Sequence, residues 1–340
     1  MNVSATSTPV GASTFAAAPP IALTIDGTRV TVPVGTSIWD AAREAGIEVP
    51  VLCHDPRLRP VGVCRMCVVE VKGARTLQAS CVRPCEAGME VSTKSPLVER
   101  NRSMLTELLL SDHPTPCARE TSTGDCDLEA LGRGFGLLST RDGAPSSNGH
   151  AHPHAHAAKG SRFAPQNGRA KDPSSQVIAV DHQACILCDR CIRACDELQN
   201  NDVIGRTGKG YEARIAFDLD APMGDSTCVA CGECAAVCPT GALVNQVLTI
   251  PTTPVKALKA VDSVCPYCGV GCALTYHVDE ARNSIVFAEG RESPASQGRL
   301  CDPASGAGDA GSLDSRTRHG ALEGSTGRTA PRRAGRRAMG

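Results

Sequence analysis

Aromatic side chains are scarce in this 340-residue sequence: one Trp, three Tyr and five Phe. A single large core built on aromatic burial is therefore excluded, and several small cores held by something besides apolar packing are expected. Net charge is also missing, at -1, so there is no electrostatic footprint for nucleic acid or an anionic membrane. No apolar run reaches the ~18 to 20 residues of a membrane span, which predicts no membrane insertion. The opening MNVSATSTPVGASTFAAAPP has no basic n-region, no long apolar stretch and no twin arginine. It predicts a disordered leader over residues 1–20 of a cytoplasmic protein. The tail, residues 302–340, has no Lys, no aromatic and almost no apolar side chain, so it cannot build a core.

Cysteine, by contrast, is abundant, with nineteen in the chain. A disulfide framework needs an oxidising compartment and an export signal; without them, thiols this dense are first read as metal ligands.

Five further segments follow the leader. Residues 21–95 begin with IALTIDGTRVTV, alternating around Asp26-Gly27 as a hairpin does. Thr36 or Ser37 then caps a helix that ends at Gly46. A second hairpin turns at Lys72-Gly73 and a short strand covers residues 89–91. This order, β-β-α-β-β with cysteines in the loops, predicts a small β-grasp ferredoxin domain. Residues 96–132 open with a helix whose periodicity puts Leu97, Met104, Leu105, Leu108 and Leu109 on one face. Residues 133–175, rich in Gly, Ser, Pro, His and Ala, read as a flexible linker. Within it His150, His152, His154 and His156 alternate, a run that reads as composition more than as a metal site. Compact cysteine-rich units are expected over 176–250 and 261–301.

The repeated spacing C-x2-C-x2-C-x3-C occurs at Cys185, Cys188, Cys191, Cys195 and again at Cys228, Cys231, Cys234, Cys238. Three cysteines at this short interval wrap one [4Fe-4S] cube, and the fourth serves the other cube. One cluster is thus assigned to Cys185, Cys188, Cys191 and Cys238, the second to Cys228, Cys231, Cys234 and Cys195. A zinc site expects separated C-x2-C pairs and has no use for a third cysteine at the same interval. Cys53, Cys64, Cys67 and Cys81 give three loop ligands and one on a following strand, which suits a [2Fe-2S] cluster although zinc also fits the spacing.

This N-terminal domain resembles the one shared by the large iron-sulfur subunit of respiratory NADH dehydrogenase, NAD-reducing hydrogenases and NAD-dependent formate dehydrogenases. The resemblance extends to HPTPCARETSTGDCDLE, residues 113–129. There the family pattern binds a [4Fe-4S] cluster through one His and three Cys. His113, Cys117 and Cys126 match, but the remaining position is Glu120. Either Glu120 or Cys85, which is outside every other set, is then left to complete a possible fourth [4Fe-4S] site; the other reading is a vestigial loop.

SVCPYCGVGC looks like the [4Fe-4S] segment that opens the catalytic domain of molybdenum or tungsten bis-pterin oxidoreductases, with Cys265, Cys268, Cys272 and Cys301 as ligands. Together with DHQACILCDRCIRACDELQNNDVIG and FDLDAPMGDSTCVACGECAAVCPTGAL, it makes residues 21–301 similar to the front of the alpha subunit of cytosolic NAD-dependent formate dehydrogenases. The resemblance implies an α+β iron-sulfur module passing electrons from formate oxidation at a Mo- or W-bis-MGD centre toward FMN- and NAD-binding diaphorase subunits of beta and gamma type. In that family a Lys-Gly segment and the long pterin domain follow the Cys301 position. Here Asp302-Pro303 follows, and the expectation is a frameshift or truncation, or else a natural tail, leaving the chain inactive by itself. No residue reads as a catalytic base or nucleophile. Two other readings are a separate relay subunit of a hydrogenase- or NADH-dehydrogenase-type diaphorase, and a zinc-binding structural protein.

Overall fold

The computed structural model describes residues 19–139, 169–249, 255–267, 269–294, 296 and 298. Most of the expected leader, the alternating histidines, Cys268, Cys301 and the tail lie outside the described residues. The chain divides into two compact units, Met1–Val51 with Arg65–Arg102, and Leu52–Cys64 with Ser103–Gly340.

In the first unit, strands β1 (Ile21–Ile25) and β2 (Thr28–Val32) pair antiparallel across Asp26 and Gly27. These two residues have φ of 49° and 82°, the left-handed pair that a tight hairpin requires. Ser37 accepts a hydrogen bond from the Asp40 amide at 3.1 Å and caps helix α1 (Ile38–Glu44). Strands β3 (Val68–Val71), β4 (Gln78–Ala79) and β5 (Glu90–Ser92) complete a sheet in the order β2-β1-β5-β3-β4, with β1 and β5 parallel. Ile38, Ala41 and Ala42 of α1 are fully buried against Leu23, Ile25, Val69 and Val91. Cys85 packs in this same core.

Helix α2 (Pro96–Leu110) forms where expected, but on a different face. Leu97, Met104 and Leu108 are more than half exposed, whereas Val98, Arg102 and Thr106 are buried. The cause is Arg102, whose guanidinium donates to the carbonyls of Met66 at 3.1 Å, Val68 at 2.7 Å and Thr93 at 3.0 Å. Satisfying three buried carbonyls outweighs burying the leucine stripe.

In the second unit, short helices α3 (Ala118–Ser122) and α4 (Asp127–Gly134) follow α2. Strands β6 (Lys171–Asp172) and β7 (Ile178–Asp181) pair antiparallel, β6 lying within the last residues of the segment expected as a linker. The Asp172 carboxylate fixes that end by accepting from the amides of Ser174 and Met223. Helix α5 (Arg190–Arg193), the hairpin of β8 (Ile204–Thr207) and β9 (Arg214–Phe217), helix α6 (Glu233–Val237) and strand β10 (Leu243–Asn245) follow, with β10 pairing β7. Strands β11 (Lys259–Val264), β12 (Ala273–Asp279) and β13 (Ser284–Gly290) form a separate antiparallel sheet. Among the described residues no helix is long and apolar enough to cross a membrane.

Candidate metal centres

The two repeated cysteine loops share one backbone design. Leu187 and Asp189 in the first, Ala230 and Gly232 in the second, all adopt positive φ, between 53° and 81°. At both loops the amide two residues after the first cysteine donates to its sulfur, Leu187 to Cys185 and Ala230 to Cys228, each at 3.4 Å. Left-handed backbone at a leucine costs free energy and persists where surrounding structure holds it, commonly at functional sites. Here it turns successive amides and cysteines inward around one space. Cys191 and Cys234 then sit on α5 and α6.

Cys185, Cys188, Cys191 and Cys238 line a single small cavity, closed on its apolar side by Ile215 and Leu243. The thiols that act on Cys234 most strongly are Cys231, Cys228 and Cys195, in that order after burial itself. Burial pushes the Cys185 thiol up to about 11 and those of Cys188, Cys191 and Cys234 further still. Thiols in this setting stay protonated unless a cationic centre compensates the thiolate charge.

Loop 52–64 belongs to the second unit. The Cys53 amide donates to the Cys64 sulfur at 3.4 Å, and the Cys64 amide to the Cys53 sulfur at 3.5 Å. The loop is held on α5 by two arginines that flank Cys191. Arg190 donates to the carbonyls of His54 and Val237, and Arg193 to those of Cys53 and Arg59. Neither arginine stands out in the sequence, because only the fold brings them under the loop. In the first unit, Cys67 and Cys81 meet with sulfurs 3.3 Å apart.

His113, Cys117, Cys126 and Glu129 are all buried, and their ligand atoms lie within 4.8 Å of one another. Glu129, not Glu120, is the carboxylate that joins the group. Glu120 is turned to Arg133, 3.1 Å away, and accepts from the Cys126 amide at 3.4 Å. Glu129 accepts from the Cys117 amide at 2.8 Å and stands 3.5 Å from His113 Nε2. Cys126 Sγ is 3.7 Å from the same nitrogen. Burial disfavours charge on His113, yet Cys117 and Glu129 lift it to about 9. The Cys117 thiol, paired with Cys126 and facing His113, falls to about 5 despite burial. Glu129 escapes a reading of the sequence because it belongs to no family position; its only signal is the three-residue spacing after Cys126, one turn along α4.

Gly241 lets this segment approach the second cysteine loop. A Cβ there would lie 2.9 Å from the Ala118 and Arg119 amide nitrogens and from Cys117 Sγ. Arg119 donates across the same contact to the carbonyls of Ala235 and Cys238. Gly241→Ala is therefore expected to push the Cys117 turn away at a cost of about 1–3 kcal/mol. Peptide mapping after maleimide treatment checks it: Cys117, 2% exposed in the parent, becomes labelled in the variant. Unchanged protection would show that the contact tolerates a methyl group.

In the last unit Cys265 and Cys272 end the paired register of β11 and β12, where Val264 faces Ala273. The Cys265 amide donates to the Cys272 carbonyl at 2.8 Å, and Leu274, Tyr267 and Tyr276 pack around them. Among the described residues no two cysteines are joined in a disulfide.

Three stretches match known families. Residues 18–96 match a 2Fe-2S iron-sulfur cluster binding domain, 184–242 a 4Fe-4S dicluster domain and 258–303 a molybdopterin oxidoreductase Fe4S4 domain. Among curated proteins, the chain is 33% identical over 255 residues to an NADH-quinone oxidoreductase subunit of Rhizobium meliloti, covering 75% of this chain and 27% of that protein. It is 32% identical over 282 residues to the alpha subunit of the NADPH-Fe(3+) oxidoreductase of Geobacter sulfurreducens, covering 83% of this chain and 30% of that one. A solved chain from an NAD+-reducing [NiFe]-hydrogenase in its H2-reduced state superposes with a TM-score of 0.56 at 29% identity, over 68% of this chain and 90% of that chain. The chain thus spans under a third of the length of these two curated relatives. What it shares with them is the iron-sulfur electron-transfer region of NADH-type oxidoreductases, with a 2Fe-2S domain followed by 4Fe-4S domains. Formate dehydrogenase is not among these matches.

Proposed function

We propose that this chain is an electron relay, holding a [2Fe-2S] cluster at Cys53, Cys64, Cys67 and Cys81. The same reading gives it three [4Fe-4S] clusters, at Cys185, Cys188, Cys191 and Cys238, at Cys228, Cys231, Cys234 and Cys195, and at Cys265, Cys268, Cys272 and Cys301. The observation that carries the reading is the cavity whose lining includes four thiols drawn from both repeated loops. A space walled by sulfur fits a cube. When bound, such clusters accept and release single electrons at potentials set by net charge, hydrogen bonds to sulfur and burial.

The chain's own groups supply those settings. The amides of Leu187 and Ala230 donate to Cys185 and Cys228, and the Val203 amide donates to Cys195 at 3.4 Å. Each such bond stabilises the more negative, reduced state. Arg190 and Arg193 place two cations beside Cys191 and the Cys53 carbonyl, which acts in the same direction.

The finer reading places the relay in a cytoplasmic NAD-dependent formate dehydrogenase alpha subunit. Electrons would enter from a Mo or W pterin domain next to the Cys265 unit and leave toward FMN- and NAD-binding partner subunits. The match of residues 258–303 to the molybdopterin oxidoreductase Fe4S4 domain supports it, as does the CPYCGVGC resemblance. A second reading, a relay subunit of an NADH dehydrogenase or hydrogenase, is favoured by the names of the relatives.

Anaerobic purification followed by stepwise reduction under EPR tests the relay itself. The expected result is a brown protein with reducible signals from one two-iron and three four-iron clusters, about 14 iron atoms per chain. A colourless protein without reducible spins would sink the reading. Isolating the native complex through this chain and comparing formate-dependent with hydrogen-dependent NAD+ reduction separates the two finer assignments.

A further inference from the structure

The family-type cube does not fit the His113 group, for two independent reasons. The position that supplies the third thiolate is Glu120, and its carboxylate is already committed to Arg133 at 3.1 Å. The four ligand atoms that do converge, from His113, Cys117, Cys126 and Glu129, lie within 4.8 Å of one another. Ligands on four different irons are separated by the cube itself, ~6 Å sulfur to sulfur. Ligands of one tetrahedral ion with metal–sulfur bonds of ~2.3 Å stand ~3.5–4 Å apart. The separations of 3.5 Å from His113 Nε2 to Glu129 Oε1 and 3.7 Å to Cys126 Sγ belong to the second geometry.

The rest of the chain provides an internal comparison. Among the described residues this is the only set of three or more His, Cys, Asp or Glu side chains that closes to single-ion spacing. The two repeated cysteine loops do not.

We propose that His113, Cys117, Cys126 and Glu129 bind a single Zn2+, and that this site takes no part in electron transfer. The donor set is one imidazole nitrogen, two thiolates and one carboxylate oxygen, all within the range zinc accepts in a closed, four-coordinate structural site. Zinc binds such a site more tightly than ferrous iron does. Both cysteines bind as thiolates, with any thiol proton passing to solvent. Arg133, 4.0 Å from the second oxygen of Glu129, offsets the excess negative charge. The ion would tie the turn after α2 to the start of α4, the segment that Gly241 and Arg119 seat against the second cysteine loop. This goes beyond the relay reading, since zinc has no accessible second oxidation state.

The test is zinc and iron content per chain after chelator-treated anaerobic purification, with X-ray absorption at the zinc edge. One zinc with two sulfur and two nitrogen or oxygen neighbours is expected. Glu129→Gln is expected to weaken zinc retention against a chelator by roughly tenfold or more, while Glu120→Gln leaves it unchanged. Iron content, equal in all three proteins, reports that they fold. Absence of zinc overturns the proposal, whether four additional irons are found or nothing is bound, and so does zinc that Glu120→Gln releases and Glu129→Gln keeps. Loss of the relay reading would appear separately, as iron that is missing or cannot be reduced.

Discussion

Replacing Cys238 by serine removes four irons, and adding Cys185→Ser to that variant removes no more. The expectation follows from where the two side chains point. They lie 53 positions apart in sequence and on different repeated loops, yet both line the same cavity with Cys188 and Cys191. Two ligands of one cluster act as a unit, so their losses do not add. If each loop served only its own four cysteines, the double variant would lose eight irons, one cube for each substitution. Iron analysis with EPR of the reduced protein decides between the two, because in the crossed arrangement both single variants lose the same signal. The reciprocal pair is Cys195→Ser with Cys234→Ser.

Arg102→Ala is expected to destabilise the first unit by about 3–5 kcal/mol. The side chain is 5% exposed and serves three carbonyls. Burial disfavours its charge, against the attraction of Cys67, Glu99 and Asp26. Removing the guanidinium strands the three carbonyls where water enters poorly, and two of them, on Met66 and Val68, flank Cys67. Trp39, the chain's one tryptophan, is 8% exposed in the same unit, and its fluorescence follows urea unfolding of that unit alone. Arg102→Lys is expected to recover only part of the loss, because an ammonium lacks the planar fork that reaches several acceptors at once. A midpoint for Arg102→Ala within the error of the parent would show that the three bonds contribute nothing net.

What the sequence made legible was local. Asp26-Gly27, Ser37 and the short cysteine intervals act over a few residues, and the hairpin, the helix cap and the inward loops follow from them. The leucine face of α2 misled because periodicity registers only apolar residues. The buried position went to Arg102, whose partners come from three other segments. Glu129 was hidden for a related reason: helical spacing brings it under Cys126, while the motif directs the eye to Glu120. Arg190 and Arg193 look like ordinary surface cations until the chain folds loop 52–64 over them.

That loop changes how the chain can be cut. A fragment ending near residue 95, where the motif arithmetic draws a boundary, would carry Cys53 and Cys64 without the guanidinium groups that fix the carbonyls of Cys53, His54 and Arg59. A fragment meant to keep loop 52–64 in its folded shape must therefore include α5 as well.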